Sequence, residues 1–146
     1  MRMGKFDYIS KHMTTLTKEP KTLRKVLIVE DEGDMCLLMN IILDDEDMQL
    51  EHVKNLTAAA AYLQHEKPDV VLLDNKLPDG FGVDFLKVVK KLSPQAKVIM
   101  ITGFDPSAGD VALENGADMF LTKPFTKEQL KSAVGKYPMN SQDNVG

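Results

Sequence analysis

The run Val70-Val71-Leu72-Leu73 is apolar at every position and stops abruptly at Asp74, with Asn75-Lys76-Leu77-Pro78-Asp79-Gly80 behind it. A short run with no polar alternation, closed by turn residues, predicts a strand buried on both faces, the condition of a parallel sheet covered by helices. The pattern recurs along the chain. Strands are predicted at 26–30, 49–53, 70–74, 98–102 and 119–122, with helical stretches near 34–44, 58–65, 83–92, 107–114 and 127–136. Five strand–helix units in a row specify an α/β fold with a parallel sheet and helices on both faces. Strand 49–53 alternates polar and apolar residues and belongs at an edge.

Local signals refine this frame. Met35, Leu38, Met39 and Ile42 form an apolar stripe on the first helix. Thr57 is the expected N-cap of the second, ahead of the Ala58–Ala61 run. Asn115-Gly116 is a helix stop. The fourth helix is weak, since Pro106 can only begin it and Gly109 interrupts it.

In open α/β sheets, ligands bind just beyond the carboxyl ends of the strands. At that rim the chain places Glu30-Asp31 after the first strand, Asp74 at the end of the third, Thr102 at the end of the fourth and Lys123-Pro124 after the fifth. Three acids, one hydroxyl and one ammonium therefore converge. Asp31 and Glu32 also suit a helix N-terminus electrostatically, so each acid has a structural use as well as a chemical one.

Composition narrows the class. At 146 residues, 43% of them hydrophobic, the chain buries one good core. A single cysteine, Cys36, excludes an internal disulfide framework and reads as a small buried apolar residue. His12, His52 and His65 share no metal-ligand spacing and read as surface or loop residues. No run reaches the roughly 20 apolar residues of a membrane span, and no signal peptide is recognisable; a cytoplasmic protein is expected. The net charge of −4 conceals seven Lys/Arg against two acids in residues 1–25. That basic segment reads as a flexible arm. The expected organisation is an arm at 1–24, one domain at 25–137 and a polar tail at 138–146.

Val-Glu-Asp-Glu at 29–32, Leu-Leu-Asp-Asn-Lys-Leu-Pro-Asp-Gly at 72–80, Ile-Thr-Gly at 101–103 and Phe-Leu-Thr-Lys-Pro-Phe at 120–125 together resemble the receiver domain of two-component response regulators, of the chemotaxis-regulator type. Each motif alone is weak; the four in order, each at a strand end, are specific. The resemblance implies a doubly wound, five-stranded (βα)5 flavodoxin-like fold with strand order 2-1-3-4-5. It implies that Asp74 accepts a phosphoryl group from a sensor histidine kinase or histidine phosphotransfer protein. It further implies that Asp31, Asp74 and the backbone carbonyl of Lys76 hold Mg2+, with Glu30 reaching it through water. Thr102 and Lys123 would contact the phosphoryl oxygens, with the Lys123–Pro124 bond cis. Thr102 and Phe120 would switch the face of the fourth helix, fifth strand and fifth helix for a downstream protein or output domain, with no direct nucleic-acid or membrane binding. Lys76 and Phe104, two residues after the acceptor and the threonine, would tune phosphoryl lifetime.

Other classes make different demands. An aspartyl-phosphate phosphatase expects a second Asp two residues after the nucleophile, where this chain has Lys76. A nucleotide-binding Rossmann domain needs a glycine-rich turn where Glu30-Asp31-Glu32 would repel phosphate. A receiver that is never phosphorylated is disfavoured by the intact Asp31, Asp74, Thr102 and Lys123.

Overall fold

The computed structural model describes residues 23–44, 47–103, 105 and 107–136. Five strands, β1 (Arg24–Val29), β2 (Met48–Val53), β3 (Val70–Asp74), β4 (Lys97–Thr102) and β5 (Met119–Thr122), form one sheet in the order β2-β1-β3-β4-β5. Every pairing is parallel. The helices between and after them are α1 (Gly33–Ile42), α2 (Leu56–His65), α3 (Gly82–Leu92), α4 (Ala108–Glu114) and α5 (Lys127–Gly135). This is the expected doubly wound fold, and 49–53 falls in an edge strand as its alternation requires.

Side-chain parity divides the core. Leu27, Val29, Val71, Leu73, Val98 and Met100 pack against α2, α3 and α4 through Ala59, Leu63, Phe85, Leu86, Val89 and Ala112. Their neighbours Val26, Ile28, Val70, Leu72, Ile99 and Ile101 pack against α1 and α5 through Met39, Leu130, Ala133 and Val134. The central strands are apolar at both parities because both faces are covered.

Four details depart from the sequence-based expectation. The first strand runs Arg24–Val29, so Glu30 lies just past its end and is free to act at the rim. The N-cap of α2 is Asn55, whose side chain accepts from the Ala58 amide at 2.7 Å. Thr57 sits inside the first turn, where its amide and hydroxyl both donate to Asp79. On α1 the buried side chains are Cys36 and Met39, whereas Leu38 is exposed with Leu37 and Ile41. His52 is a half-buried residue of β2 whose Nε2 has no hydrogen-bond partner, not a surface residue. His12, Phe104, Pro106 and nearly all of the basic arm and the polar tail lie outside the described residues.

The β3–α3 connection is tight. A β-ribbon pairs Lys76 with Phe81 and Leu77 with Gly80, whose φ of +149° favours glycine. At its base the Gly82 amide donates to the Asn75 carbonyl at 2.7 Å, and the Val83 amide to Asn75 Oδ1 at 3.0 Å. A Cβ on Gly82 would stand 2.4 Å from the Asp74 carbonyl oxygen. Glycine here is what lets α3 begin against the end of β3. Gly82→Ala must push the two apart, and an overpacking loss of about 1–3 kcal/mol is expected from urea unfolding. A variant as stable as the parent would show that the contact relaxes freely.

Candidate functional site

Strand register assembles the rim. Val29 of β1 pairs with Leu73 of β3, so Glu30 and Asp74 come abreast, while Asp74 pairs with Ile101, one residue before Thr102. Thr102 pairs with Thr122, next to Lys123. The cis Lys123–Pro124 bond follows, and the ammonium turns inward over the carboxylates. Its Nζ lies 3.2 Å from Asp74 Oδ1 and 3.4 Å from Glu30 Oε1. A cavity of about 690 Å3 opens above, lined among others by Asp31, Asp74, Lys76, Phe81, Asp105 and Lys123.

Three carboxylates meet here, Asp31 and Asp74 lining the cavity and Glu30 buried beside them. Glu30, Asp31 and Asp74 each offer an oxygen, all within 4.8 Å of one another. Glu30 and Asp74 are buried and Asp31 is exposed. At this spacing, two ionised carboxylates repel by about 3 kcal/mol at an effective dielectric near 20. Burial first, and then Asp74, raises the Glu30 pKa; burial first raises that of Asp74, against the opposing pull of Lys123. Burial works against the Lys123 ammonium, but the adjoining Asp74 and Glu30 outweigh it and hold its pKa up. One ammonium stands among three acids, so the cluster retains an excess of negative charge.

The donor set suits a hard divalent cation. All three side chains present carboxylate oxygen, the ligand type such cations prefer. Glu30 Oε1 is buried, with the Lys123 ammonium 3.4 Å away and no well-formed hydrogen bond. Glu30 Oε2 accepts from the Glu32 amide at 3.2 Å, which fixes the carboxylate's orientation. The unsatisfied oxygen is what a cation, or a water bound to it, would relieve.

The remaining expected residues fall into two groups. Thr102 is buried at the end of β4, and its hydroxyl donates to the Leu121 carbonyl at 3.3 Å. Phe120, half-buried on β5, packs into the core layer that holds Ala112 of α4. Its ring occupies the place a side chain at Gly109 would take, 2.4 Å from a Cβ built there. Gly109 is thus the ring's seat as well as a weak point in α4. Lys76 is exposed on the cavity wall. Cys36 is buried as expected, its thiol donating to the Glu30 carbonyl at 3.3 Å.

Sequence reasoning passed over Asn75, Asp79 and Phe81. Asn75 closes the ribbon's base. Asp79 ties the ribbon's turn to α2, Oδ1 accepting from the Leu56 amide and Oδ2 from the Thr57 amide and hydroxyl, all at 2.9 Å. These bonds hold its carboxyl below the usual range. An Asn directly before a short turn and an Asp-Gly pair were the available signals.

Known proteins place the chain. Residues 26–135 match the family model of the response regulator receiver domain. Sporulation initiation phosphotransferase F of Bacillus subtilis is 33% identical over 119 residues, covering 80% of this chain and 96% of that one. The phosphate regulon transcriptional regulatory protein PhoB of Escherichia coli is 32% identical over 114 residues, covering 76% of this chain. The match spans about half of PhoB's length, 50%. Among solved structures, a CheY-like receiver domain protein from Methanospirillum hungatei superposes with a TM-score of 0.75 at 28% identity, covering 86% of this chain and all of that one. The beryllofluoride-activated NtrC4 receiver domain gives 0.72 at 33% identity, covering 77% and 93%. This chain belongs to the response regulator receiver family, whose shared function is phosphoryl transfer to an aspartate.

A carboxyl whose pKa rises on folding binds more protons folded than unfolded. Its stabilising contribution is therefore full at low pH, below the unfolded value, and is lost as pH rises through the folded value. Asp74 and Glu30 act in this sense, while Lys123, raised, contributes up to the alkaline range and is lost above it. A cation needs the ionised carboxylates that protons occupy in acid. Millimolar Mg2+ should raise the melting temperature at pH 7.5 and do so much less at pH 4.5, and Asp31→Ala should reduce the shift. An equal shift at both pH values would contradict this site.

Proposed function

We propose that Asp74 is the phosphoacceptor of this receiver and that Mg2+ is its cation. The observation that carries the reading is Asp74 itself: a buried carboxylate at a strand end, open to a cavity and joined to Lys123 at 3.2 Å. The phosphoryl source is a phosphohistidine on a sensor kinase or a phosphotransfer protein. The exposed Leu37, Leu38 and Ile41 of α1, beside the acidic rim, offer that partner an apolar landing.

A carboxylate oxygen of Asp74 attacks phosphorus in line with the departing nitrogen, so the chain's task is positioning and charge compensation. Asp31, Asp74 and the Lys76 carbonyl would hold the cation, with Glu30 reaching it through water; when bound it offsets the negative charge of the phosphoryl oxygens. Lys123 supplies a second positive charge from the other side. In this reading the domain assists its own phosphorylation and dephosphorylation, and Lys76 on the cavity wall covers part of the approach for hydrolytic water. The family resemblance gives Phe104, outside the described residues, a second part in that shielding.

Output follows from Thr102. Its hydroxyl is held to Leu121 by one 3.3 Å bond, and a phosphoryl oxygen on Asp74 is a stronger, charged acceptor. Moving the hydroxyl removes its side-chain tie to β5 and opens space beside Phe120. The ring, already seated on Gly109 of α4, can then move into the space the hydroxyl vacates, changing the α4-β5-α5 face that a downstream protein or output domain reads. This domain would act in the cytoplasm through protein partners.

The test is incubation with acetyl phosphate and Mg2+, followed by intact mass. One phosphoryl group should appear on the wild type, be lost in Asp74→Ala and fail to form in chelator. Full labelling of Asp74→Ala would overturn the assignment.

A further inference from the structure

Among the described residues, neither the core nor a helix cap accounts for Phe81. It occupies the N-cap of α3, a position that favours Ser, Thr, Asp or Asn, and it makes no side-chain cap. Asn75 Oδ1 receives the Val83 amide instead. Nor does Phe81 belong to the core, since it is 51% exposed. It lines the same cavity as Asp74 and Lys123, and among the described residues it is the only aromatic side chain there. The other long side chains of that wall are charged.

The ring is also held in place. Phe81 pairs directly with Lys76 in the ribbon, so both side chains project from one face of it. The Asn75–Gly82 bond closes the ribbon's base, and the Asp79 carboxylate ties its turn to α2. An exposed aromatic on so constrained a backbone loses little freedom when something stacks on it.

We propose that Phe81 recognises the leaving group of the phosphoryl donor, an imidazole ring, and so gives the acceptor a preference for phosphohistidine over phosphorylated compounds without a ring. The proposal rests on Asp74 being the phosphoacceptor. A dianionic phosphoryl group gains nothing from a phenyl ring, whereas a flat imidazole at the cavity mouth does. In the step concerned, an Asp74 carboxylate oxygen forms its bond to phosphorus as the N–P bond breaks. The electron pair of that bond stays on the imidazole nitrogen. The ring, protonated at its other nitrogen at the outset, departs as neutral imidazole. Phe81 moves no proton; it aligns the ring so that nitrogen, phosphorus and the Asp74 oxygen lie in line.

Two small donors isolate the ring. Monophosphoimidazole and phosphoramidate both break an N–P bond, and only the first releases an aromatic ring. Phosphorylation rates of the full chain with each, at saturating Mg2+, give a ratio that cancels general effects on Asp74 or the cation. That ratio should fall roughly two- to tenfold in Phe81→Ala, the span of an aromatic pair's contribution. Phe81→Tyr should restore it, and Phe81→Leu, which keeps apolar bulk without a ring, should not. A ratio unchanged in Phe81→Ala, or fully kept by Phe81→Leu, would overturn the proposal while leaving Asp74 as acceptor. If Phe81→Ala fails to fold, the Leu and Tyr variants decide between the same outcomes. Wild type labelled by neither donor would instead remove the acceptor assignment, and this inference with it.

Discussion

Two buried carboxylates share one ammonium, and much of the rim is arranged around that imbalance. Glu30 and Asp74 lie at the ends of neighbouring central strands, where parallel register forces them side by side. Lys123 reaches both, yet Glu30 Oε1 is left without a well-formed hydrogen bond and Asp31 adds a third negative charge. A protein selected for stability alone would remove such a cluster. Such a cluster suits a proposed site where a cation and a phosphoryl group would meet charge already in place.

The scaffold keeps that cluster from relaxing. The covered faces of β1 and β3 leave their backbones no room to shift, and Gly82 brings α3 against the Asp74 carbonyl. Asn75 and Asp79 lock the ribbon that carries Lys76 and Phe81. On the opposite side the structure is looser. The Thr102 side chain is tied to β5 by one long hydrogen bond from its hydroxyl, and α4 spans only seven residues with Phe120 seated on its glycine. Rigidity on the acceptor side and a weak tie on the β5 side are what a phosphorylation-driven switch requires, because a small change in charge must be spent on moving one element.

Much of this was legible in the sequence for a simple reason. Strands buried on both faces are written as continuous apolar runs, and the polar residue ending each run has nowhere to go except the rim. Glu30, Asp31, Asp74, Thr102 and Lys123 are therefore assigned to one rim by the sequence pattern alone. Side chains that act through the backbone were harder to see. Asn75 caps a helix eight residues away across a ribbon, and Asp79 bonds amides more than twenty residues upstream. Thr57 looked like a cap because its hydroxyl suits one, but Asn55 begins the helix and Thr57 serves Asp79. Gly109 read as a defect until Phe120 was found against it. Leu38 was misplaced because α1 is apolar around much of its circumference, so periodicity could not choose the buried face.

The central claim is electrostatic and can be read directly. Carbon-13 detection of the side-chain carboxyls during a pH titration reports Asp74 and Glu30 individually. In chelator, Asp74 and Glu30 should both titrate above the ordinary range of their residue types, because burial disfavours their charged forms. With saturating Mg2+ both midpoints should move down. An Asp74 that titrates at or below the ordinary aspartate range without cation, and does not respond when Mg2+ is added, would contradict the account.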